Sequence, residues 1–337
     1  MAVGLFDQQF RLEELSKMGD PLEALDRAID FETFRPSLES AFSHIDRSKG
    51  GRPPYDRVMM FKALVIKSMY NLSFEKLEYL IKDRLSFQRF LGIDLSNRVP
   101  DANTYWDFNE ALLKGKVHDQ IFDLYSTQLQ NQGLIVNAGS MIDASIIDAP
   151  IQRNSKDENA QIKGGKGAPK EWSENKKRQK DIDARWVKKN GRSRYGYKNH
   201  IKVDKKTKLI TNHRVTSASV HDSQVLEDLL QHGDEHHEMY ADSAYRSEEF
   251  EQMLKDKKIR SRIHKKGNRG QPLSEADKQI NTRKSKIRAR VEHVFGDMVQ
   301  VAGKIIMRQI GLARNKTAIT MLNLTYNFRR ATYLMRE

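Results

Sequence analysis

Three acidic residues of this 337-residue chain lie among apolar neighbours, where carboxylates are unusual. Asp143 lies within SMIDASIIDA, Asp242 ends the string EMYAD, and Glu292 lies within KIRARVEHVFG. An ionised carboxylate in such surroundings is costly unless a cation pairs with it or it binds a metal ion. Glu292 adjoins the apolar side of a predicted helix and could point inward at the other two. We therefore treat these three residues as the candidate catalytic and metal-binding group.

Three carboxylates that converge on one pocket need a positive charge among them, because their mutual repulsion opposes ionisation. Hard oxygen ligands select Mg²⁺ over softer metals, so Mg²⁺ is the predicted cofactor, with Mn²⁺ as a substitute. Two such ions about 4 Å apart would polarise a phosphodiester and activate a hydroxyl for in-line attack. Each acid also has a purely structural interpretation: an aspartate at a strand end is often hydrogen-bonded, and Arg288 with Glu292 is an ordinary i, i+4 helix pair.

The elements that must position these acids alternate in a way typical of an α/β domain. Residues 140–149 are short, β-branched and bounded by glycine and proline, which favours a strand. Further strands are predicted at 200–203, 209–217, 238–242 and 259–263. Helices are predicted from an Asp222 N-cap to 230, at 247–254, after 278 and at 318–334. The order predicts an α/β domain built on a mixed sheet.

The chain before this sheet is predicted to be helical. Apolar residues at helical spacing predict several short helices within 51–136, and we interpret 1–50 as an N-terminal arm. Short consecutive helices suit a DNA reader, but residues 1–142 hold 17 basic and 20 acidic side chains, which disfavours heavy phosphate contact. DNA-end binding and dimerisation therefore both stay open for this all-α domain.

Positive charge is concentrated in two parts of the chain. Lys and Arg number 59 against 45 Asp and Glu, which gives a net charge of +14. Residues 151–200 hold 15 basic and 6 acidic side chains, and residues 255–290 hold 14 and 3. Such fields attract polyanions, and nucleic acid is the leading partner. The alternative is a solvated basic loop: we expect an insertion at about 151–195 that is mobile unless DNA orders it.

The composition also excludes several classes of protein. The chain has no cysteine, which excludes disulfide scaffolds, cysteine-bound metals and thiol nucleophiles, and a reducing compartment is the natural fit. The most apolar segment, MMFKALVIKSMY, is interrupted by Lys62 and Lys67, so we expect no membrane span. We expect a cytoplasmic, nucleoid-associated protein.

Five strings, in this order, closely resemble the DDE transposases of bacterial insertion sequences, specifically the insertion-sequence-five family: MIDASIIDAP, RYGYKNHIKVD, VTSASVHDS, YADSAYRS and RARVEHVFG. The resemblance covers nearly the whole chain. It implies that residues 137–337 form an RNase H-like catalytic domain. It also implies that Asp143, Asp242 and Glu292 match the metal-binding triad, and that Arg288, one helical turn before the glutamate, faces DNA phosphate. Where related proteins often carry tyrosine and lysine, this chain has Ser285 and Val299.

Basic and aromatic residues near these motifs are candidates for contact with DNA. The candidates are Arg288, Arg290, Lys198, Tyr197, Tyr195, Trp186, Lys188, Lys189 and Lys304. Aromatic side chains can stack on bases, and cations can bind the backbone. Packing of the two tyrosines on the sheet is an equally good interpretation of their pattern, and Trp186 could instead anchor a small cluster.

Together these patterns predict a transposase that binds the terminal inverted repeats of a transposon. It would hydrolyse a phosphodiester of double-stranded DNA with Mg²⁺ and then join the exposed 3′ hydroxyl to target DNA. Acting on two ends implies a homodimer during synapsis. Two alternatives stay open: a non-catalytic DNA-binding relative, and an RNase H-like nuclease that cuts without joining.

Overall fold

The computed structural model describes residues 6–44, 50, 53–165, 167–189, 191–267 and 272–336. The start of the predicted helical domain, 51–52, and residues 1–5 of the predicted arm lie outside the described residues. The chain divides into two compact units. Unit 1 takes its residues from Met1–Leu134, Val301–Gly303 and Thr320–Glu337, and unit 2 from Ile135–Gln300 and Lys304–Ile319. No helix in the described ranges is both long enough and apolar enough to cross a membrane.

Unit 1 is helical. Its helices are α1 (Asp7–Lys17), α2 (Pro21–Ala28), α3 (Arg35–Ser40), α4 (Arg57–Met69), α5 (Phe74–Asp83), α6 (Leu85–Leu91), α7 (Ala102–Lys114) and α8 (Val117–Asn131). The side chains of Asp20, Asp56, Ser73 and Asp101 cap α2, α4, α5 and α7 by accepting backbone N–H groups. Each such cap contributes about 1 kcal/mol, which helps these short helices to form.

Aromatic side chains form the centre of unit 1. Phe31, Phe34 and Tyr125 surround Phe328, whose ring centroid lies 5.5 Å from that of Phe31 and 4.7 Å from that of Tyr125. The edge-to-face arrangement of these pairs is the one that aromatic quadrupoles favour. Because Phe328 comes from the last helix of the chain, residues close to the C-terminus complete the core of this unit.

Residues 7–40 do not form the predicted arm. Leu22 and Leu25 of α2 are buried, and Phe31 lies in the aromatic centre of the unit. Arg89 of α6 donates to the carboxylate of Asp20 at 2.6 Å and so ties α2 to the rest of unit 1. The chain therefore does not divide at residue 50 into the predicted arm and helical domain, because short helices on both sides of that position share one apolar core.

The remaining elements follow α8 along the chain. In chain order they are β1 (Ser140–Asp148), α9 (Lys156–Lys163), α10 (Glu174–Gln179), β2 (Arg185–Lys189), β3 (Arg192–Asp204), β4 (Ile210–Ser217), α11 (Leu226–Leu229), β5 (Glu238–Tyr240), α12 (Glu248–Asp256), β6 (Arg260–Ser261), α13 (Glu275–Arg288), α14 (Glu292–Ala302) and α15 (Leu312–Leu334). Turns of 3₁₀ helix span Asp222–Val225, Ser243–Tyr245 and Ala289–Val291.

The strands of unit 2 form one mixed sheet in the order β2-β3-β1-β5-β6, with β4 also paired to β3. β1 pairs antiparallel with β3 and parallel with β5, and β5 pairs parallel with β6. The sheet is therefore mixed, as predicted. β2 was not predicted, and β3 is longer than the strand predicted at 200–203, because the basic residues of this segment resemble a solvated loop.

Gly196 allows the backbones of the paired strands β1 and β3 to approach closely. Its φ is +155°, and a Cβ at this position would overlap the carbonyl oxygen of Ile147. Only glycine fits such a close backbone approach. The register of the pair then runs unbroken from Asp148 opposite Gly196 to Ser140 opposite Asp204.

One face of the sheet is covered by an apolar cluster. Its buried members are Ile142, Val225, Leu226, Leu229, Met239, Ala241, Tyr245, Leu254, Ile259 and Ile263. They come from β1, β5, α11, α12 and the segments between them. Because side chains alternate along a strand, the burial of Ile142 here turns its neighbour Asp143 toward the opposite face.

The basic insertion contains helices and strands that are held by contacts within the chain. Trp172 is 4% exposed, and its indole N–H donates to Glu158 Oε1 at 2.6 Å. Lys176 also donates to this carboxylate at 2.5 Å, and Ser155 forms a capping box with Glu158 at the start of α9. A few polar contacts around one buried indole therefore order the segment, which lacks the apolar periodicity that would have predicted this.

The stability of the chain should fall in mild acid because of His118 in α8. Its side chain is buried, neither ring nitrogen has a hydrogen-bond partner among the described residues, and burial lowers its pKa to about 4. The unfolded chain binds the proton below pH 6.5, so the free energy of unfolding should fall by about 1.4 kcal/mol per pH unit between pH 6.5 and pH 4 on account of this group. Urea unfolding of His118→Leu should show a correspondingly weaker pH dependence. The exposed His44→Gln is the control, and an unchanged slope in His118→Leu would contradict the assignment.

Candidate active site

Asp143 lies near the centre of β1, and its side chain is 16% exposed. Its Oδ1 accepts the backbone N–H of Ala144 at 2.8 Å. Burial raises the pKa of Asp143 above its ordinary value, although Arg288 and the Ala144 N–H act in the opposite direction. The positive charge around this carboxyl group is thus too small to offset its loss of hydration.

Asp242 follows β5 after one intervening residue, beside the central strand β1. Met141 lies opposite Tyr240 in the parallel pair of β1 and β5, and continuing this register by two residues sets Asp242 level with Asp143. Asp242 Oδ1 accepts from the backbone N–H of Ser243 and from its hydroxyl at 3.1 Å. The negative charge of Asp242 contributes to the raised pKa of Asp143, so the two carboxylates are within electrostatic range.

Arg288 connects Asp143 to Glu292. Its Nη1 donates to Asp143 Oδ2 at 2.6 Å, and its Nη2 lies 3.6 Å from Glu292 Oε1. Arg288 ends α13 and Glu292 begins α14, with the 3₁₀ turn Ala289–Val291 between them. The Glu292 side chain is 63% exposed, which differs from the inward orientation considered for it, because the turn between the helices redirects its side chain.

The chemistry of these groups fits a hard divalent cation. Asp143 and Asp242 offer carboxylate oxygens, the ligand type that Mg²⁺ and Mn²⁺ prefer. The raised pKa of Asp143 shows that a further positive charge would be stabilised beside it. Within the described ranges, no group of three acidic or histidine side chains is close enough to hold a metal ion as it stands.

Two further residues of this site were not among the sequence candidates. Tyr245, 1% exposed, lies near Asp143 and Asp242, and burial together with their negative charges raises its pKa well above the ordinary value. His264 is half-buried, and burial and the charge of Arg288 lower its pKa. Tyr245 lies three residues after Asp242 in YADSAYRS, a spacing that could have drawn attention to it. His264 has no such signal.

Ser285 occupies one of the two positions where the sequence resemblance leads us to expect another residue. Its hydroxyl lies 3.4 Å from His264 Nε2, one turn before Arg288 on the same side of α13. At the other position, Val299 is 53% exposed on α14. Neither side chain offers a cation or a phenol.

Both tyrosines proposed for DNA contact are buried. Tyr197 is 0% exposed and donates to Asp181 Oδ2 at 2.6 Å, and Tyr195, 9% exposed, donates to the Asp181 carbonyl at 3.3 Å. Asp181 is itself buried and also accepts backbone N–H groups. The prediction that these tyrosines stack on bases is wrong for this structure, because their hydroxyls satisfy a buried carboxylate and carbonyl.

Lys198 is also placed in the interior. Its ammonium donates to Asp222 Oδ1 at 2.8 Å and to the Val220 carbonyl at 2.7 Å. The role proposed for Lys198 as a DNA contact is therefore not supported, since its charge is neutralised inside the fold. Asp222 does not cap its turn as predicted; the ring of His221 accepts the backbone N–H of Ser223 instead.

The remaining cations and Trp186 are at the surface. On β2, Trp186 is 48% exposed, its ring centroid is 5.3 Å from that of Tyr195, and Lys188 is exposed. Lys189 Nζ lies 3.5 Å from the Ala144 carbonyl, and its charge acts on Asp143.

Two of the candidates lie further along the chain. Arg290 is half-buried and donates to the carbonyl of Lys206 at 3.4 Å. Lys304 is exposed. The structure therefore leaves Lys304 accessible and engages Arg290 only weakly, so both retain their candidate role as DNA contacts.

Comparison with known proteins adds two family matches. Residues 10–111 match "Transposase domain (DUF772)", and residues 139–328, more than half of the chain, match "Transposase DDE domain". This pair of domains is typical of insertion-sequence-five-like transposases, as the sequence motifs predicted. The DDE match and the observed mixed sheet confirm the predicted fold class, an RNase H-like catalytic domain with an N-terminal all-α domain.

One similar solved structure is the cryo-EM structure of a piggyBac transposase synaptic complex with hairpin DNA. The TM-score is 0.46 and the sequence identity is 13%. The match covers 93% of this chain and 75% of the other chain.

The pair of Asp143 and Arg288 should contribute measurably to stability. Arg288→Met leaves a buried carboxylate without its cation and should lower the free energy of unfolding by about 3 kcal/mol. Adding Asp143→Asn should recover part of this loss, because the uncompensated charge is then absent. Urea unfolding of both single variants and the double variant measures the coupling. Arg283→Met on the exposed face of α13 is the control, and a cost of Arg288→Met that does not depend on residue 143 would disprove the coupling.

Proposed function

We propose that this chain, which belongs to the DDE transposase family and is a metal-dependent DNA transposase, uses Asp143, Asp242 and Glu292 as its catalytic residues. The observation that carries the proposal is the contact of Arg288 with Asp143 at 2.6 Å and with Glu292 at 3.6 Å. Arg288 lies 145 positions after Asp143 in the chain, so the fold assembles distant charged groups at one edge of the sheet.

The proposed cofactor is Mg²⁺, bound as two ions, for which Mn²⁺ substitutes. When bound, it supplies Lewis-acid polarisation of the phosphodiester and lowers the pKa of the attacking hydroxyl. Asp143 and Asp242 would hold it from adjacent strands, and Glu292 would add a third carboxylate from α14. Arg288 would hold the phosphate group or orient Glu292, since its guanidinium already lies between two of the acids.

Two successive displacements at phosphorus make up the proposed reaction. In the first, water attacks a phosphodiester at the transposon end, a new P–O bond forms, and the bond to the 3′ oxygen breaks to leave a 3′ hydroxyl. In the second, that hydroxyl attacks a phosphodiester of target DNA and displaces a 3′ oxygen there. No covalent intermediate with the protein is needed.

The partners follow from this reaction. The substrate is double-stranded DNA, both the terminal inverted repeats and the target. Because two ends must be processed together, we propose a homodimer in the synaptic complex. Unit 1, which includes the described part of 51–136, would serve in end binding or in dimerisation, and unit 2 would carry the catalytic site. The DNA substrate implies a cytoplasmic, nucleoid-associated location.

The hairpin of β2 and β3 is the proposed DNA contact nearest to Asp143. Trp186 presents an exposed indole, and Lys188 and Lys189 follow it on the same short strand. Aromatic stacking with an adjacent cation is a common way to bind an opened DNA strand without reading its sequence. Arg290 and Lys304 would add backbone contacts on the α14 side.

Replacing single acids tests the catalytic assignment. The protein is incubated with Mg²⁺ and a duplex that carries the DNA flanking its own coding sequence, and cut and joined products are separated. Asp143→Asn, Asp242→Asn and Glu292→Gln should each lower cleavage and joining by about 10²-fold or more, since each removes part of the charge stabilisation of the transition state. DNA binding should be kept, and Mn²⁺ binding in calorimetry should weaken.

Asp256→Asn, an exposed aspartate of α12, is the matched control and should keep full activity. A triad variant with full activity would remove that residue from the site. Cutting without joining by the wild type would favour the nuclease alternative. Binding without either reaction would favour the non-catalytic relative.

Substitution of the exposed Trp186 and of the buried Tyr197 should affect DNA binding and stability differently. Trp186→Ala should weaken DNA binding by about 1–3 kcal/mol, the usual value of a base-stacking side chain, with little change in thermal stability. Tyr197→Phe should lower the free energy of unfolding by about 1 kcal/mol through loss of its hydrogen bond to Asp181, with DNA affinity unchanged. Fluorescence anisotropy with labelled duplex and thermal unfolding separate the two effects, and the reverse pattern would refute this division of roles.

A further inference from the structure

Polar contacts, rather than apolar packing, hold α13 in place. Every residue of α13 is described, and none of its fourteen residues has a buried side chain. Asn281 exchanges two hydrogen bonds with the backbone of Lys265, each of 2.9 Å, and Lys284 Nζ donates to the Ile263 carbonyl at 2.8 Å. Arg288 completes this series through its bond to Asp143. These contacts set which side of α13 faces the protein.

Arg283 and Lys286 lie on the other side of the helix. With 100° of rotation per residue, they are about 200° and 140° from Asn281, whereas Lys284 and Arg288 are within about 60° of it. Both Arg283 and Lys286 are exposed, and neither has a hydrogen bond or ion pair with the part of the chain that the structure describes. Two cations are thus directed outward by a helix whose inner face is fixed on the active site.

The two acids of α13, Glu275 and Asp277, lie in its first turn and pair with Lys278 and Lys265. Residues 278–291 contain six basic side chains and no acidic one. Like charges three or four residues apart destabilise a helix by about 0.2–0.5 kcal/mol per pair, so the arrangement is unfavourable without a partner. By contrast, α12 in the same unit carries exposed Lys255 among its acids Glu248, Glu249, Glu251 and Asp256.

We infer that the outer face of α13, defined by Arg283 and Lys286, binds the phosphate backbone of the duplex whose scissile phosphate lies at Arg288. The inference rests on the proposed function, because it takes the Asp143–Arg288 site as the place of reaction. From Arg283 to Arg288 the helix rises about 7.5 Å and turns by about 140°, so the two side chains lie on different sides of α13. Each strand of a duplex carries a phosphate at about every 3.4 Å of its axis. Phosphates that flank the cut would therefore meet Arg283 and Lys286.

DNA fits this surface better than an acidic protein segment does. Arg283 and Lys286 are two exposed cations three residues apart on the helix that carries Arg288, and the repeated phosphates of a duplex match such a pair of charges. The face offers no exposed aromatic group between them that would anchor a protein side chain. Backbone contacts of this kind fix the position of the duplex and carry no sequence information.

The test is the salt dependence of DNA binding by Arg283→Gln/Lys286→Gln. A fluorescein-labelled duplex with the flanking ends and a labelled duplex of random sequence are titrated by anisotropy at several salt concentrations. Loss of two phosphate contacts should reduce the slope of log K against log[salt] by about 1.8, equally for both duplexes. The charge-retaining variant Arg283→Lys/Lys286→Arg should keep the wild-type slope, which separates charge from folding. Thermal unfolding confirms that both variants are folded.

Lys255→Gln/Lys258→Gln is the matched control, because it removes the same charge from exposed positions of unit 2 outside α13. It should leave the slope nearly unchanged. An unchanged slope in Arg283→Gln/Lys286→Gln, or an equal reduction of the slope in the control, would overturn the assignment of this surface. The proposed function would stand in that case if the wild type still cleaved DNA. Absence of both binding and cleavage by the wild type would overturn the proposed function and this inference together.

Discussion

The ion pair between Asp143 and Arg288 is the interaction on which the candidate site depends. It joins the centre of β1 to the last residue of α13, a helix that buries none of its side chains. No side chain of this helix is fully buried, so polar contacts such as this ion pair contribute strongly to its position. Because the pair is withdrawn from water, its attraction is stronger than that of a surface pair, and loss of either partner is more costly. The contact that holds the helix also sets the charge balance of the site.

Position in the sheet separates residues that look alike in the sequence. β3 lies between β1 and β4, so Tyr197 and Lys198 are enclosed and bond to groups of the fold itself. Among the described strands, β2 pairs only with β3 and leaves Trp186 and Lys188 exposed. A residue at the centre of a sheet stabilises the scaffold, and one on its margin can meet DNA. The basic residues of unit 2 therefore form two groups: some are neutralised inside the fold, and others are exposed at its surface.

Several features could not be predicted because they depend on polar contacts between distant residues. In the insertion, Trp172 and Lys176 both donate to the carboxylate of Glu158. No periodic sequence pattern predicts this set of hydrogen bonds. The helices before residue 50 are short, and their stability comes from an aromatic core completed by Phe328 near the end of the chain. Local periodicity contains no information on partners this far apart.

The sequence by itself determined the mixed-sheet α/β class, the main strands and the three acids as the candidate catalytic group, because alternation, turn residues and unusual polar positions are local properties. The family motifs added the transposase chemistry. Only the tertiary structure decided that Arg288 pairs with Asp143 and that Lys198 pairs with Asp222. It also decided that Glu292 is exposed and that Tyr245 is buried. Strand register and helix docking decide these contacts, and both depend on the packing of segments far apart in the chain.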